Sequence, residues 1–258
     1  MDDTGTNGAP LKPSDIDDLR SALQFLAEHP GQLVSTDVEV DPYLELPAVY
    51  RRVGSGTPTP PPTKIGPAML FNRLKGSQMR AVAGILASRD RTAKLLGSSR
   101  ERLPFDMLDA LARPVPPVVV DRAAAPCQQV VIKPPFDIRT IIPQVVSTPK
   151  DTGAFLNMAL LRGEDPETGI SDVTIHRMCF QGPDTLSVSF NLGRHIGVFL
   201  EKAWAMGKPL PVSVSIGFDP AIYVATSFEA PTTPLGLDEL TIAGGLRNRP
   251  VELVDCIT

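Results

Sequence analysis

The sequence predicts a mixed α/β (α+β) fold in two parts, an N-terminal α/β domain followed by a mainly antiparallel β domain of the split-barrel kind. Three observations predict it. Helical and strand-like hydrophobic periods alternate over the first ~115 residues. After the proline cluster Pro114–Pro117 the chain changes to short β runs parted by turn residues. A chain of 258 residues, 42% apolar and 21% charged, has an ordinary globular composition and enough length to bury a substantial core. The expected parts are a mobile tail over residues 1–13, the α/β domain over 14–124 and the β domain over 125–258, divided near Ala125.

In the first part Ser14 is the expected cap of a helix whose Ile16, Leu19, Leu23 and Leu26 recur at helical spacing until His29-Pro30. QLVSTDVEV alternates as a strand does, and ELPAVYRRV reads as a short helix with Pro47 in its first turn. A proline-rich loop follows from Gly54 to Pro67. AMLFNRL and MRAVAGILAS read as strands, RDRTAKLLG and PFDMLDALA as helices.

In the second part QQVVIK, TIIPQVVS, AFLNMALLR, DVTIHRMCFQ and TLSVSFNL are β-rich, with GEDPETG and GPD as turns between them. IGVFLEKAWAMG has helical spacing with Ile196, Phe199, Leu200 and Trp204 as its apolar face, and PVSVSIG reads as a buried strand. VELVDCIT is strand-like and ends the chain without a closing element, as a truncated domain would.

Composition narrows the function. A net charge of −4 argues against a nucleic-acid surface, because phosphate backbones want a basic face. No apolar run approaches the ~18 residues of a membrane span, and MDDTGTNGAP has neither the basic start nor the apolar core of a signal peptide, so the expected location is cytoplasmic. Cys127, Cys179 and Cys256 are widely spaced with no C-x-x-C, and read as buried free thiols. LGSSRERL and GSGTP lack the order of the glycine-rich nucleotide loops.

The stretch SDVTIHRMCFQGPDTLSVSFNLGRHIG, from Ser171 to Gly197, carries the chemistry. It sets Asp172, His176, Arg177 and His195 in two β-patterned runs, and Glu239 follows in GLDELTIAGG. Two carboxylates and an imidazole with an arginine nearby are what a hard divalent metal bound to a phosphorylated ligand needs. Each residue also has a plainer reading. His195 at a helix start is satisfied by solvent, His176 is a hydrogen-bonded strand residue, and Arg177 pairs across a sheet. Glu239 suits the first turn of a helix through the helix dipole, and Asp172 suits a turn after Gly169. Asn157 and Arg162 repeat an N-x-x-x-x-R spacing that means little alone.

From Cys127 onward the chain resembles the UbiD-type decarboxylases, on SDVTIHR, RHIG, PVSVSIGFDPA and LDELTIAGGLRNRPVELVDC in that order. The resemblance implies non-oxidative, reversible decarboxylation of an aromatic, heteroaromatic or α,β-unsaturated carboxylic acid with prenylated FMN, the acid and CO2 being its small-molecule partners. It implies Asp172, His195 and Glu239 as ligands of Mn2+ or Mg2+, Asp172 standing where the family has asparagine, and Arg177 as the catalytic arginine that orients the substrate carboxylate. Ile175, His176 and Arg177, with Asn191, Leu192 and Gly193, would line the flavin, and Thr226 and Ser227 would serve a K+ ion beside the metal. A flavin prenyltransferase would supply the cofactor, and the full-length protein would be a homo-oligomer. The family's acid/base segment would lie beyond the last residue, so a cofactor-binding but catalytically incomplete subunit or fragment is an alternative. A plain FMN-binding split-barrel oxidoreductase, needing no metal trio, is another. The five-residue interval from Asp172 to Arg177 is odd, which turns the two side chains to opposite faces of a regular strand unless a bulge intervenes.

Overall fold

Asp18, not Ser14, starts the first helix. In the computed structural model, which describes residues 10–57, 61–190, 193–228, 233 and 236–257, helix α1 (Leu19–Ala27) is capped by the Asp18 carboxylate, which accepts from Ser21 N at 2.7 Å. Ser14 falls in a 3-10 turn over Pro13–Asp15, where the fixed φ of Pro13 suits a tight turn. Ile16 is buried ahead of the helix, with Ala22, Phe25, Leu26 and Leu95. Residues 1–9 of the expected tail lie outside the described residues, whereas Leu11 N donates to Glu28 at 2.9 Å.

Strands β1 (Leu33–Thr36) and β2 (Ala68–Phe71) run parallel, and β3 (Ala81–Ala83) closes antiparallel on β2. Between the first two lies α2 (Glu45–Tyr50), which continues into a wider π turn over Arg51–Ser55. Helix α3 (Arg89–Leu95) is capped by Ser88, and α4 (Leu103–Ala112) follows. This first part has the alternation that its hydrophobic period predicts.

The second part centres on two long strands, β5 (Phe155–Glu164) and β6 (Ser171–Phe180), joined by the GEDPETG hairpin. Flanked by β7 (Leu186–Ser187) and β8 (Val212–Ser215), they form an antiparallel sheet in the order β7-β6-β5-β8, curled into a half-barrel. Asn157 and Met158 of β5 both stand opposite Arg177, a bulge in which Met158 takes a left-handed φ of 55°. Such an extra residue bends the strand and increases its twist.

Helix α6 (His195–Ala205) covers one face of the sheet through Leu161, Met178, Ile196 and Phe199. Helices α7 (Pro220–Ala225) and α8 (Glu239–Arg247) cover the other, with Leu160, Val173, Ile222, Leu240 and Ile242 between them. A two-stranded parallel ribbon joins the parts, β4 (Val118–Val119) pairing with β9 (Glu252–Leu253).

Further expectations are corrected. Of the three cysteines, all free, Cys179 is buried while Cys127 and Cys256 are exposed. QQVVIK is not a strand: Val130, Val131 and Ile132 are exposed at 79%, 38% and 53%, and the prolines after Lys133 remove the donors a ladder needs. TIIPQVVS opens as a short helix, α5 (Ile138–Ile141), because Asp137 caps it by accepting from Arg139 N. TLSVSFNL pairs only at Leu186 and Ser187, while Val188 and Phe190 turn into the core under α6. PVSVSIG is an edge strand, not a buried one, with Val212 and Val214 largely exposed. Trp204 is exposed on the outer side of α6, and the small Ala203 takes the core position instead.

Gly244 and Gly245 let α8 approach α4 and the proline segment closely. A Cβ on Gly244 would lie 2.4 Å from Val115 O, and one on Gly245 would lie 2.8 Å from Ala110 O. Alanine would gain about 1 kcal/mol of helix propensity at either place. Backbone atoms cannot yield as side chains do, so Gly244→Ala is expected to cost a net 1–3 kcal/mol, roughly the range for an overpacked core. A thermal melt checks this, and a melt equal to the parent would show that the two helices slide apart freely.

Candidate metal centre

Asp172, His195 and Glu239 come together. One ligand atom from each lies within 4.8 Å of the others, although the three sit on β6, α6 and α8. Asp172 is buried on the face of β6 that α6 covers, and its Oδ1 lies 2.8 Å from His195 Nδ1. With the proton on Nδ1 the imidazole donates to Asp172 and keeps Nε2 as its lone-pair donor. His195 is the first residue of α6, and among the described residues no side-chain hydrogen bond caps that helix end. The positive end of the helix therefore opens beside the trio.

Glu239 reaches the same place from the other side of the sheet. Strand β7 pairs with β6 only at Cys179 and Phe180, so the first half of β6 has no strand on that edge among the described residues. The Glu239 carboxylate caps the open edge by accepting from Val173 N at 3.2 Å. Glu239 is in the first turn of its helix, as its simplest sequence reading holds, but it is only 4% exposed. A surface acid tuned by a helix dipole has no need of such burial.

The electrostatics describe a site with too much negative charge for its surroundings. Burial, and then the charge of Asp172, push the Glu239 carboxyl up to about 7. Burial also raises Asp172, against the hydrogen bond from His195. Two buried carboxylates facing each other in this way favour either a proton or a cation between them. Two carboxylates and one imidazole form the donor set of a borderline-hard divalent ion, so the residues fit manganese or magnesium.

Two ion pairs hold the scaffold. Lys202 of α6 reaches Asp165 at 2.6 Å and Glu167 at 2.9 Å in the β5–β6 hairpin, which fixes the helix carrying His195 against the strand carrying Asp172. Arg247, at the far end of α8, grips Asp219 at 2.5 and 2.7 Å and donates to the carbonyls of Pro13 and Leu95. No motif or period in the sequence singled out either pair.

The remaining expected site residues are dispersed. His176 shares the Asp172 face, meets the Phe190 ring edge-on at 5.0 Å, and is held below the usual imidazole range by burial. Arg177 points from the opposite face, its guanidinium carbon 5.5 Å from the centre of the Phe155 ring. The bulge that would have turned it is in β5 and not in β6, so the odd interval keeps its plain consequence. Ile175 packs in the core under α7 and α8. Gly193 is exposed with φ of 78°, and Asn191 and Leu192 lie outside the described residues. Thr226 Oγ1 and Ser227 Oγ donate to Tyr223 O and Val224 O at the end of α7.

Two family models cover most of the chain. The N-terminal domain of 3-octaprenyl-4-hydroxybenzoate carboxy-lyase matches residues 25–111, and the Rift-related domain of the same enzyme, UbiD, matches residues 118–258. The chain belongs to the UbiD family. Among its UbiD relatives, gallate decarboxylase of Lactiplantibacillus plantarum is 41% identical over 246 residues, covering 93% of this chain and 50% of that protein. Phenolic acid decarboxylase of Sedimentibacter hydroxybenzoicus is 30% identical over 92% of this chain and 49% of its own length. Of solved structures, the apo 3,4-dihydroxybenzoic acid decarboxylase of Klebsiella pneumoniae superposes with a TM-score of 0.87 at 48% identity, over 94% of this chain and 51% of that one. The UbiD-class enzyme HmfF of Pelotomaculum thermopropionicum, solved with prFMN, gives 0.84 at 31% identity, over 93% of this chain and 53% of that one. The chain thus spans about half the length of the curated relatives it matches. No helix among the described residues is long and apolar enough to cross a membrane.

Proposed function

We propose that this chain anchors prenylated FMN through Mn2+ or Mg2+ held by Asp172, His195 and Glu239, and that the enzyme it belongs to decarboxylates aromatic carboxylic acids without net oxidation. The convergence of buried Asp172 and Glu239 with half-buried His195 at the N-terminus of α6 carries this reading. Relatives named for gallate, phenolic acids and 3,4-dihydroxybenzoic acid favour a phenolic acid within that class. Because the chain spans half of those relatives, turnover is proposed for the whole enzyme and cofactor anchoring for this part.

When bound, prenylated FMN supplies the electron sink for the pair released as the bond to CO2 breaks. The chain's own residues do the rest of the positioning. Asp172, His195 and Glu239 would hold the cation, which would supply the counter-charge beside the flavin phosphate, and the first amides of α6 would add donors on the same side. Arg177 is exposed, and its planar fork suits a bidentate grip on the substrate carboxylate, with Phe155 beside it as an apolar wall for the ring. Thr226 and Ser227 are proposed for K+, a flavin prenyltransferase as cofactor source, and a homo-oligomer as the assembled enzyme.

Titration of the metal-free chain with Mn2+ alone tests the anchor by calorimetry. Glu239 must lose its proton to ligate, so affinity is expected to rise about tenfold per pH unit up to about 7 and level off above. Absent or pH-independent binding would remove the trio from metal chemistry. Turnover is tested by co-expressing the full-length enzyme with a flavin prenyltransferase and following CO2 release from phenolic and acrylic acids.

A further inference from the structure

One residue upstream of each carboxylate ligand, a second pair of side chains meets. Ser171, the first residue of β6, donates its hydroxyl to Oδ2 of Asp238 across 67 residues of sequence. Asp238 caps α8: its Oδ1 accepts from Leu240 N at 2.7 Å, and its carbonyl accepts from Thr241 Oγ1 at 2.6 Å. Both carboxylate oxygens of Asp238 are thus engaged, and its rotamer is fixed. The residues that follow in the two strands of chain are Asp172 and Glu239 themselves.

This juxtaposition has a mechanical consequence. Asp172 and Glu239 repel each other, and among the described residues the start of α8 touches this edge of β6 through one other hydrogen bond, Val173 N to Glu239. That bond uses the ligand carboxylate itself, whose oxygens a cation would reclaim. The Ser171 to Asp238 bond uses no ligand atom, so a cation in the site would not compete for it. We propose that Ser171 and Asp238 form a positioning latch that keeps the two carboxylates of the cation site at ligating separation. The proposal rests on the metal reading of the trio given above.

Ser171 is the better residue to change, because Asp238 also caps a helix and its loss would weaken α8 for that reason alone. Mn2+ alone is titrated into the full chain and into Ser171→Ala and Ser171→Thr, with thermal melts in a chelator alongside. Loss of a side chain that orients metal ligands typically weakens metal binding by about 10- to 100-fold, and that loss is expected for Ser171→Ala. The threonine hydroxyl is expected to restore binding to within about threefold of the parent. The chelated melt of Ser171→Ala should stay close to the parent, since the cap and both faces of the sheet are untouched.

Affinity of Ser171→Ala within about twofold of the parent would overturn the latch while leaving the metal reading in place. A large drop in its chelated melting temperature, or a threonine variant as weak as the alanine one, would also overturn it and make Ser171 a structural residue only. Failure of the parent to bind Mn2+ would remove the metal reading, and the latch with it.

Discussion

Glutamine at position 239 is expected to abolish divalent metal binding and, in the absence of metal, to make the protein more stable at pH 8. The two effects have one origin. Glu239 is buried against Asp172, which holds its carboxyl near 7, above the usual carboxylate range of about 4.3. A raised folded-state pKa means that the protonated form is the one folding favours. Its stabilising contribution is full below the unfolded value and is lost as pH rises through the folded one. Between about pH 4.5 and 7 the metal-free parent therefore loses on the order of 3 kcal/mol from this residue. Glutamine does not titrate, and its carbonyl can still accept from Val173 N. Glu239→Gln and the parent should unfold alike at pH 4 and diverge by up to that amount at pH 8 in denaturant melts with a chelator. Added Mn2+ should reverse the order at pH 8, because only the parent gains binding energy. Equal melts at both pH values would show that Glu239 is solvated and not confined with Asp172.

Alanine at Arg247 is expected to be the most damaging single change outside the trio, at about 3–5 kcal/mol. The Arg247 side chain is 5% exposed and Asp219 7%, so truncation leaves a buried carboxylate without its cation. It also strips a donor from the carbonyls of Pro13 and Leu95. Lysine should recover little, since one ammonium cannot span Asp219 and both carbonyls as the guanidinium does. Arg247→Met combined with Asp219→Asn should be milder than Arg247→Ala, because no charge is then stranded and asparagine still caps α7. Chemical denaturation of the three variants checks the order, and an Arg247→Ala variant within 1 kcal/mol of the parent, about the worth of an exposed ion pair, would contradict it.

Hydrophobic period made β5, β6 and α6 legible, because the two strands pack apolar residues on both sides of the sheet and α6 buries one regular face against it. The meeting of Asp172, His195 and Glu239 was legible only through the order of their motifs. Nothing local in LDEL says that its helix starts against the open edge of a strand 66 residues earlier. The errors share a cause. QQVVIK and PVSVSIG are apolar enough to be buried, yet Val130 and Val212 are exposed, because burial depends on what packs against a segment. Trp204 misled in the opposite sense, its size suggesting a core role that Ala203 fills. Asp18 went unread because Ser14 offered an equally good cap one turn earlier, and Pro13 decided between them. Lys202 and Arg247 carried no signal, since a charge that finds a buried partner looks in sequence like any surface charge.

The grip of Arg247 on Pro13, and of Arg249 on the carbonyl of Ile16 at 2.6 Å, bears on how the two parts of this chain can be exchanged between relatives. A chimera spliced at the ribbon between the parts would inherit its opening turn from one parent and the helix carrying Glu239 from the other. Two guanidinium groups would then face a backbone they were not shaped to meet. Exchanges that swap both pieces together should fold, and those that divide them should yield aggregated protein.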